Sequence, residues 1–284
     1  MPALRPLPRP APTRGGIDFW CMNLYEFEGK TLFQKYGIAI PRGVTIHRGD
    51  ADGRGVALQS LYSEFGHTNI VVKAQILSGK RGKNNGIKFC SSSGEAISAI
   101  SEMFNTNIRN QYVAAVRVEE KLDIAEEHYL SITYDTNTRM PVLIYSKQGG
   151  MDIEDVPNDK IFKYQLSIFN TVLPGELEDM LGKKVFTVTA NLWKCFLAED
   201  CRLVEINPLV KTNDGRWVAA DAKVAIDGDA FYRHDEWKEL EPRTEMGRPP
   251  TEREIAVKKI DEGEGYYRGT AGKYIEMDGD IAIL

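Results

Sequence analysis

Asn207 and Asp221 are of the types, and at the spacing, that could hold a divalent cation. Each lies in a strand-forming run, Leu203–Val210 and the stretch ending Asp221-Ala222-Lys223, on either side of Thr212-Asn213-Asp214-Gly215. Asp-Gly between apolar runs is a hairpin signal. Folding back there brings an amide oxygen and a carboxylate to the same end of a two-stranded ribbon. Hard oxygen donors on rigid strands suit magnesium, which keeps its remaining positions for water and phosphate. A hairpin with solvated polar ends would carry the same residues, so the surrounding chain must distinguish the two.

Lys73 is the next residue of interest. It interrupts the apolar run Asn69–Gln75, and a lysine buried in such a strand is costly unless an anion neutralises it. Phosphate oxygens of a ligand would serve. The following Ser78-Gly79-Lys80-Arg81-Gly82-Lys83 combines flexible glycines with three cations, a composition suited to covering a polyphosphate. A solvated basic loop beside a structural ion pair is the alternative. Glu119, Glu120, Asp123 and Glu127 cluster where one strand ends and another begins, and carboxylates there could accept from an adenine amino group or ribose hydroxyls. Two familiar nucleotide signatures fail. Gly29-Lys30-Thr31 has Leu24 where a P-loop needs glycine, and Gly263, Gly265 and Gly269 are spaced one residue too widely for a dinucleotide fingerprint.

The elements that must position these groups mix helix and strand. A helix is expected from Asn23, with Glu26 completing a capping box, to about Tyr36, its apolar Leu24, Phe27, Leu32 and Phe33 roughly on one face. Strands are expected at 43–47, 69–75, 87–90, 112–119, 129–135 and 141–146, and helices at 57–65, 95–104, 175–181 and 184–198. Val185, Val188, Leu192 and Phe196 form a stripe on the last of these, read as core. Proline followed by an acidic turn starts a further helix at 249–262, and Gly279–Leu284 closes as a strand. The pattern is α+β with two lobes.

Bulk composition narrows the function classes. The 284 residues are 42% hydrophobic and carry a net charge of −5, which argues against a general nucleic-acid binder. No apolar run reaches the length of a membrane span. Cys21, Cys90, Cys195 and Cys201 form no C-x-x-C, so neither zinc nor a disulfide frame is indicated and a reducing cytoplasm is expected. His47, His67, His128 and His234 lack a nucleophile context and are expected at the surface or to be incidental. Residues 1–21, rich in proline and arginine, are expected to be disordered, with Met22 an alternative start.

Taken in order, Met22–Phe27, Val72–Ile76, Gly79–Lys83, Val118–Ala125, Gly149–Glu154, Glu205–Val210 and Asp221–Lys223 resemble the ATP-grasp part of the β subunit of succinyl-CoA synthetase (succinate–CoA ligase). The resemblance implies an α+β ATP-grasp fold at 22–248, with a smaller lobe at about 42–120. It implies that 249–284 is a linker helix and the first strand of a CoA-ligase domain. By position, Lys73, Lys80, Arg81 and Gly82 would hold ATP (or GTP) phosphates, while Glu119 and Leu122 border the base and Glu127 takes the ribose. Asn207 and Asp221 would hold Mg²⁺, and Glu205 would meet a phosphohistidine carried by a partner α subunit. The family reaction then joins CoA to succinate. Lys80, where the family more often has glycine, is closer to the related ATP-citrate lyases and leaves citrate as the alternative acid. A non-catalytic ATP-binding fragment is the third reading.

Overall fold

The computed structural model describes residues 22–48, 69–77, 79, 81–108, 111–240, 250–261 and 274–276. The expectations for residues 1–21, for a helix at 57–65, for Lys80 and for a strand at 279–284 lie outside the described residues. In chain order the first half runs β1 (Met22–Asn23), α1 (Glu26–Lys35), β2 (Gly43–His47), β3 (Ile70–Gln75), β4 (Ile87–Cys90), α2 (Ser93–Asn105) and β5 (Ala115–Glu120). Then come β6 (Ile124–Tyr134), β7 (Pro141–Ser146), β8 (Phe162–Gln165), α3 (Glu176–Leu181) and α4 (Lys183–Ala198). The last elements are β9 (Cys201–Thr212), β10 (Trp217–Ala219), β11 (Lys223–Ile226) and α5 (Glu252–Asp261).

Two antiparallel sheets result. The smaller has the order β2-β5-β3-β4, and α2 packs on it through Ala96, Ala99, Ile100, Met103 and Phe104. All six residues of β3 and of β5 are buried, so these central strands are covered on both faces. The larger sheet has the order β1-β11-β9-β6-β7-β8, with β10 also paired to β9. Its core gathers α1 and α4 against β6, β7 and β9. The expected stripe on α4 is in that core, and Trp193 stacks on Phe196 beside it, with ring centroids 5.6 Å apart. Burying each such side chain contributes roughly 1.5–3 kcal/mol.

Several expectations need correction. The first helix begins at Glu26, not Asn23, because Met22 and Asn23 pair with Ile226 and Ala225 as an edge strand. The cap is supplied instead by Glu28, whose carboxylate accepts the Tyr25 N–H at 2.8 Å. β5 starts at Ala115, later than expected, and β6 starts five residues early, at Ile124, because Glu126–His128 continue the ladder with β9. The four-residue β8 was not anticipated; its alternating burial is too short to stand out from the loop before it. His128 and His234 are buried, not at the surface. Ring nitrogens of His128 meet the Tyr145 hydroxyl at 2.8 Å and Glu126 at 3.0 Å, while His234 pairs with Asp200 and stacks on Trp237.

The hairpin after β9 is split in two. β10 and β11 share one register on β9, with Ala219 opposite Leu209 and Lys223 opposite Glu205, and the ladder lapses between them. Ala220 donates its N–H to the Pro208 carbonyl at 3.1 Å. A paired residue would return the bond, but proline has no N–H, so the Ala220 carbonyl is left to find another donor.

Candidate functional site

Helix α1 carries charge on its inner face. Its buried residues are Glu26, Gly29, Lys30 and Phe33, the i, i+3, i+4, i+7 pattern of a core-facing stripe. Gly29 lets the helix lie against β11, since a Cβ there would be 3.1 Å from Val224 and 3.3 Å from Ala222. That close approach drives Glu26 and Lys30 into the junction of the two sheets. Lys30 is fully buried, its ammonium 2.8 Å from Glu26 and 2.5 Å from Glu119.

The smaller sheet supplies the opposing charges. Lys73, on β3, reaches Glu119 at 2.8 Å and Glu26 at 3.2 Å, and donates to the Ala220 carbonyl at 2.7 Å. This is the carbonyl that Pro208 leaves without a ladder partner. Arg81, beyond β3, sets one amino group between Glu26 at 2.5 Å and Asp221 at 2.7 Å, and donates its other to the Ala74 carbonyl at 3.1 Å. Gln75 donates to Glu26 at 3.1 Å, and Arg117 to Glu119 at 2.7 Å. Four cations and three carboxylates thus interlock across the junction.

Burial opposes the charged forms of Glu26, Lys30, Lys73, Glu119 and Asp221, and the direction of each shift depends on whether the neighbouring charges outweigh it. Burial would raise Glu26, but Arg81, Lys30 and Lys73 hold it well below the usual carboxylate range. Glu119 is likewise depressed, burial being outweighed by Lys30 and Lys73. Burial acts against Lys73 too, yet Glu119, Glu26 and Asp221 raise it above the ordinary lysine value. For Lys30 burial wins and its pKa falls despite Glu119 and Glu26. Asp221 is raised, by burial first and then by Glu26, against the pull of Arg81.

A second group lies along β6 and β9. The register shared by β10 and β11 puts Asp221 opposite Asn207 on β9. The Asn207 amide oxygen accepts the Gly150 N–H at 2.8 Å and its NH₂ donates to the Met151 carbonyl at 2.9 Å. Gly149 and Gly150 pass so close to β6 that a Cβ on Gly149 would lie 2.4 Å from the His128 backbone, and one on Gly150 2.5 Å from the Glu127 carboxylate. Two residues along β9 from Asn207, Glu205 accepts from the Tyr129 hydroxyl at 3.0 Å. Leu122 is half-buried where the chain crosses from β5 to β6, and Gly82 opens an exposed 3-10 turn.

Lys73, Arg81, Glu119 and Asp221 are therefore in one contact group, with Asn207 facing Asp221 across the ladder and Glu127 and Glu205 on neighbouring strand positions. Glu26 and Lys30, the hub of that group, were missed. An i,i+4 Glu–Lys pair ordinarily reads as a solvated helix face; the available signal was Gly29 between them. The oxygen donors Asn207 and Asp221 fit a hard divalent cation. Two cavities, of about 280 and 410 Å³, open elsewhere, beside Tyr145 and Phe162 and beside Phe27 and Trp237, and neither is lined by these charges.

Comparison with known proteins gives the family. The model for the ATP-grasp domain family named ATP-grasp_2 matches residues 23–211. A succinate–CoA ligase [ADP-forming] β subunit of Methanocaldococcus jannaschii is 34% identical, the alignment covering 93% of this chain and 67% of the relative. A [GDP-forming] β subunit of Thermus thermophilus is 32% identical over 93% of this chain and 67% of its own length. Among solved structures, ATP citrate lyase from Methanothrix soehngenii superposes with a TM-score of 0.60 at 22% identity, covering 85% of this chain and 60% of that one. That likeness establishes the fold. The chain belongs to the ATP-grasp family, in its succinate–CoA ligase β-subunit branch.

Proposed function

We propose that this chain binds Mg·ATP between its two sheets. In that role it would serve as the nucleotide-handling part of a succinate–CoA ligase, exchanging phosphate with a phosphohistidine on an α-type partner. The observation that carries the reading is the convergence of Lys73, on β3, and Arg81, in the loop after it, on the neighbouring Ala220 carbonyl and Asp221 carboxylate, opposite Pro208 and Asn207, at the sheet junction. Phosphoryl transfer asks little covalent work of a protein and much electrostatic clamping. Lys73, Arg81 and Gly82 are assigned to the phosphates, with Lys80 on the same loop. Glu119 and Leu122 are assigned to the side of the base and Glu127 to the ribose, although Glu119 is here committed to Lys30, Lys73 and Arg117. Asn207 and Asp221 would hold Mg²⁺, which when bound neutralises charge on the transferring phosphate. Glu205, which accepts from the Tyr129 hydroxyl, would meet the imidazole of the incoming phosphohistidine. Relatives named as ADP-forming and GDP-forming both match, which supports ATP or GTP as the nucleotide.

Among the described residues no helix is long and apolar enough to cross a membrane, and Cys90, Cys195 and Cys201 are free, in keeping with a cytoplasmic setting. Lys80 in the phosphate loop favours a second reading, in which the acid is citrate.

Titration calorimetry tests the nucleotide assignment. Mg·ATP or Mg·GTP is expected to bind with a Kd of about 1 µM to 1 mM, and Asp221→Ala and Lys73→Ala each to weaken it about tenfold or more. Unchanged affinity in both variants rejects the site. Thioester formation, assayed with succinate and citrate alongside an α-type partner, separates the two acids.

A further inference from the structure

The donors by which the two proposed phosphate-binding cations reach Asp221 and the Ala220 carbonyl are already taken by the protein. An ammonium has three N–H groups, and those of Lys73 face Glu26, Glu119 and the Ala220 carbonyl. The Arg81 amino group that faces the site is shared between Glu26 and Asp221. A polyphosphate must therefore replace one of these acceptors, and they are not equally replaceable. Glu26 and Glu119 are 4% and 1% exposed and are further held by Lys30, Gln75 and Arg117. The Asp221 side chain is 37% exposed, is held besides Arg81 only by the adjacent Ala222 N–H at 2.7 Å, and belongs to the three residues where the β9 ladder lapses.

We propose that the Arg81–Asp221 ion pair makes this site selective for the metal-loaded nucleotide, acting as a latch that neither metal nor nucleotide opens well alone. The inference rests on the nucleotide reading above. A metal-free polyphosphate approaching Arg81 meets the Asp221 carboxylate and must leave it beside phosphate with no counter-charge. A bare divalent cation approaching Asp221 meets the Arg81 guanidinium and must leave that without an anion. When both arrive, the partners exchange: Asp221 turns from Arg81 to the metal, and Arg81 turns to the phosphate. Two sites linked through one shared pair are coupled reciprocally, each ligand raising affinity for the other by the same factor.

The test measures binding of each ligand separately. For the unaltered chain, ATP in EDTA is expected to bind at least about tenfold more weakly than Mg·ATP. Asp221→Asn releases Arg81, so metal-free ATP should tighten about three- to tenfold while Mg·ATP weakens and the metal preference collapses. Arg81→Gln releases Asp221, so Mn²⁺ alone, followed by electron paramagnetic resonance, should tighten by a similar factor. Metal-free ATP binding no better to Asp221→Asn, or Mn²⁺ no better to Arg81→Gln, overturns the latch. Circular dichroism checks the fold of both variants, and if one unfolds the other arm decides. An unaltered chain that binds no Mg·nucleotide rejects the nucleotide reading and the latch with it, whereas one that binds Mg·nucleotide while either variant fails as stated rejects the latch alone.

Discussion

The two charged regions of the site are satisfied in opposite ways. At the sheet junction Glu26, Lys30, Lys73, Arg81 and Glu119 are all at least nine-tenths buried and each is held by two or more partners. Along β6 and β9, Glu127 is exposed against the Gly150 backbone, and among the described residues Glu205 accepts from Tyr129 only. Asp221 stands between the two, tied to Arg81 yet partly in solvent. Charges that neutralise one another in a dry junction set geometry; carboxylates with oxygen to spare are the ones available to a ligand. The sequence draws no such line, because glutamate and lysine look alike in either setting.

The sharpest way to break the comparison is to remove the centre of the dry region. Lys30→Ala leaves Glu26 and Glu119 short of a cation where water cannot easily follow, and breaking a buried pair in this way costs about 3–5 kcal/mol. Urea denaturation measures it. A loss below about 1 kcal/mol, typical of an exposed pair, would mean that the junction is wet and that the two regions are alike. Lys73→Ala removes charge from the same carboxylates, so its loss of nucleotide affinity is expected together with a loss of stability.

Acid probes the same region with a smaller effect. Glu26 and Glu119 have folded pKa values below their ordinary value of 4.5. As pH falls the unfolded chain takes up these protons first, so the stability they contribute is fully present above that value. It is lost as pH drops below it and through the depressed folded values. Thermal melts from pH 7 to pH 3 should therefore stay level to about pH 5 and then decline. Lys30→Met should flatten that decline by removing one of the cations that hold both carboxylates down. An identical decline in both proteins would place the acid-sensitive groups elsewhere.

How much was legible follows from the same contrast. β2, β4, β7, α3 and α4 were readable within a residue because periodicity and turn residues agree there. Lys73 and the Asn207–Asp221 ribbon were readable because each breaks a local rule, a cation in an apolar strand and polar ends on a hairpin. Pro208 was equally visible, but its consequence was not: the missing N–H splits the ribbon and presents the Ala220 carbonyl to Lys73. Glu26 and Lys30 were hidden because their burial depends on contacts 89 residues away in sequence, between Lys30 and Glu119. Helix periodicity marked the wrong face: of the expected apolar stripe Phe27 and Leu32 are only half-buried, Leu24 precedes the helix, and the buried face shares only Phe33 with it, because charged residues do not register as core. His128 was hidden likewise, since its partners Tyr145 and Glu126 meet it only once β6 and β7 pair.

The smallest expected effect tests whether the open region is separate from the nucleotide's phosphates. Tyr129 is 3% exposed, and its hydroxyl donates to Glu205 at 3.0 Å. Burial and the neighbouring carboxylate hold that phenol above its ordinary pKa, so it remains a donor throughout the neutral range. Tyr129→Phe keeps the ring and deletes the bond, a change worth about 1 kcal/mol of stability. Because Glu205 touches neither Lys73 nor Arg81, Mg·ATP affinity should stay within about twofold, a difference under 0.5 kcal/mol. Phosphate exchange with an α-type partner should slow, since Glu205 is no longer held in one orientation. Paired calorimetry on Tyr129→Phe and Lys73→Ala makes the measurement. Equal losses of affinity in the two would merge the regions into a single nucleotide pocket and return Glu205 to the phosphates.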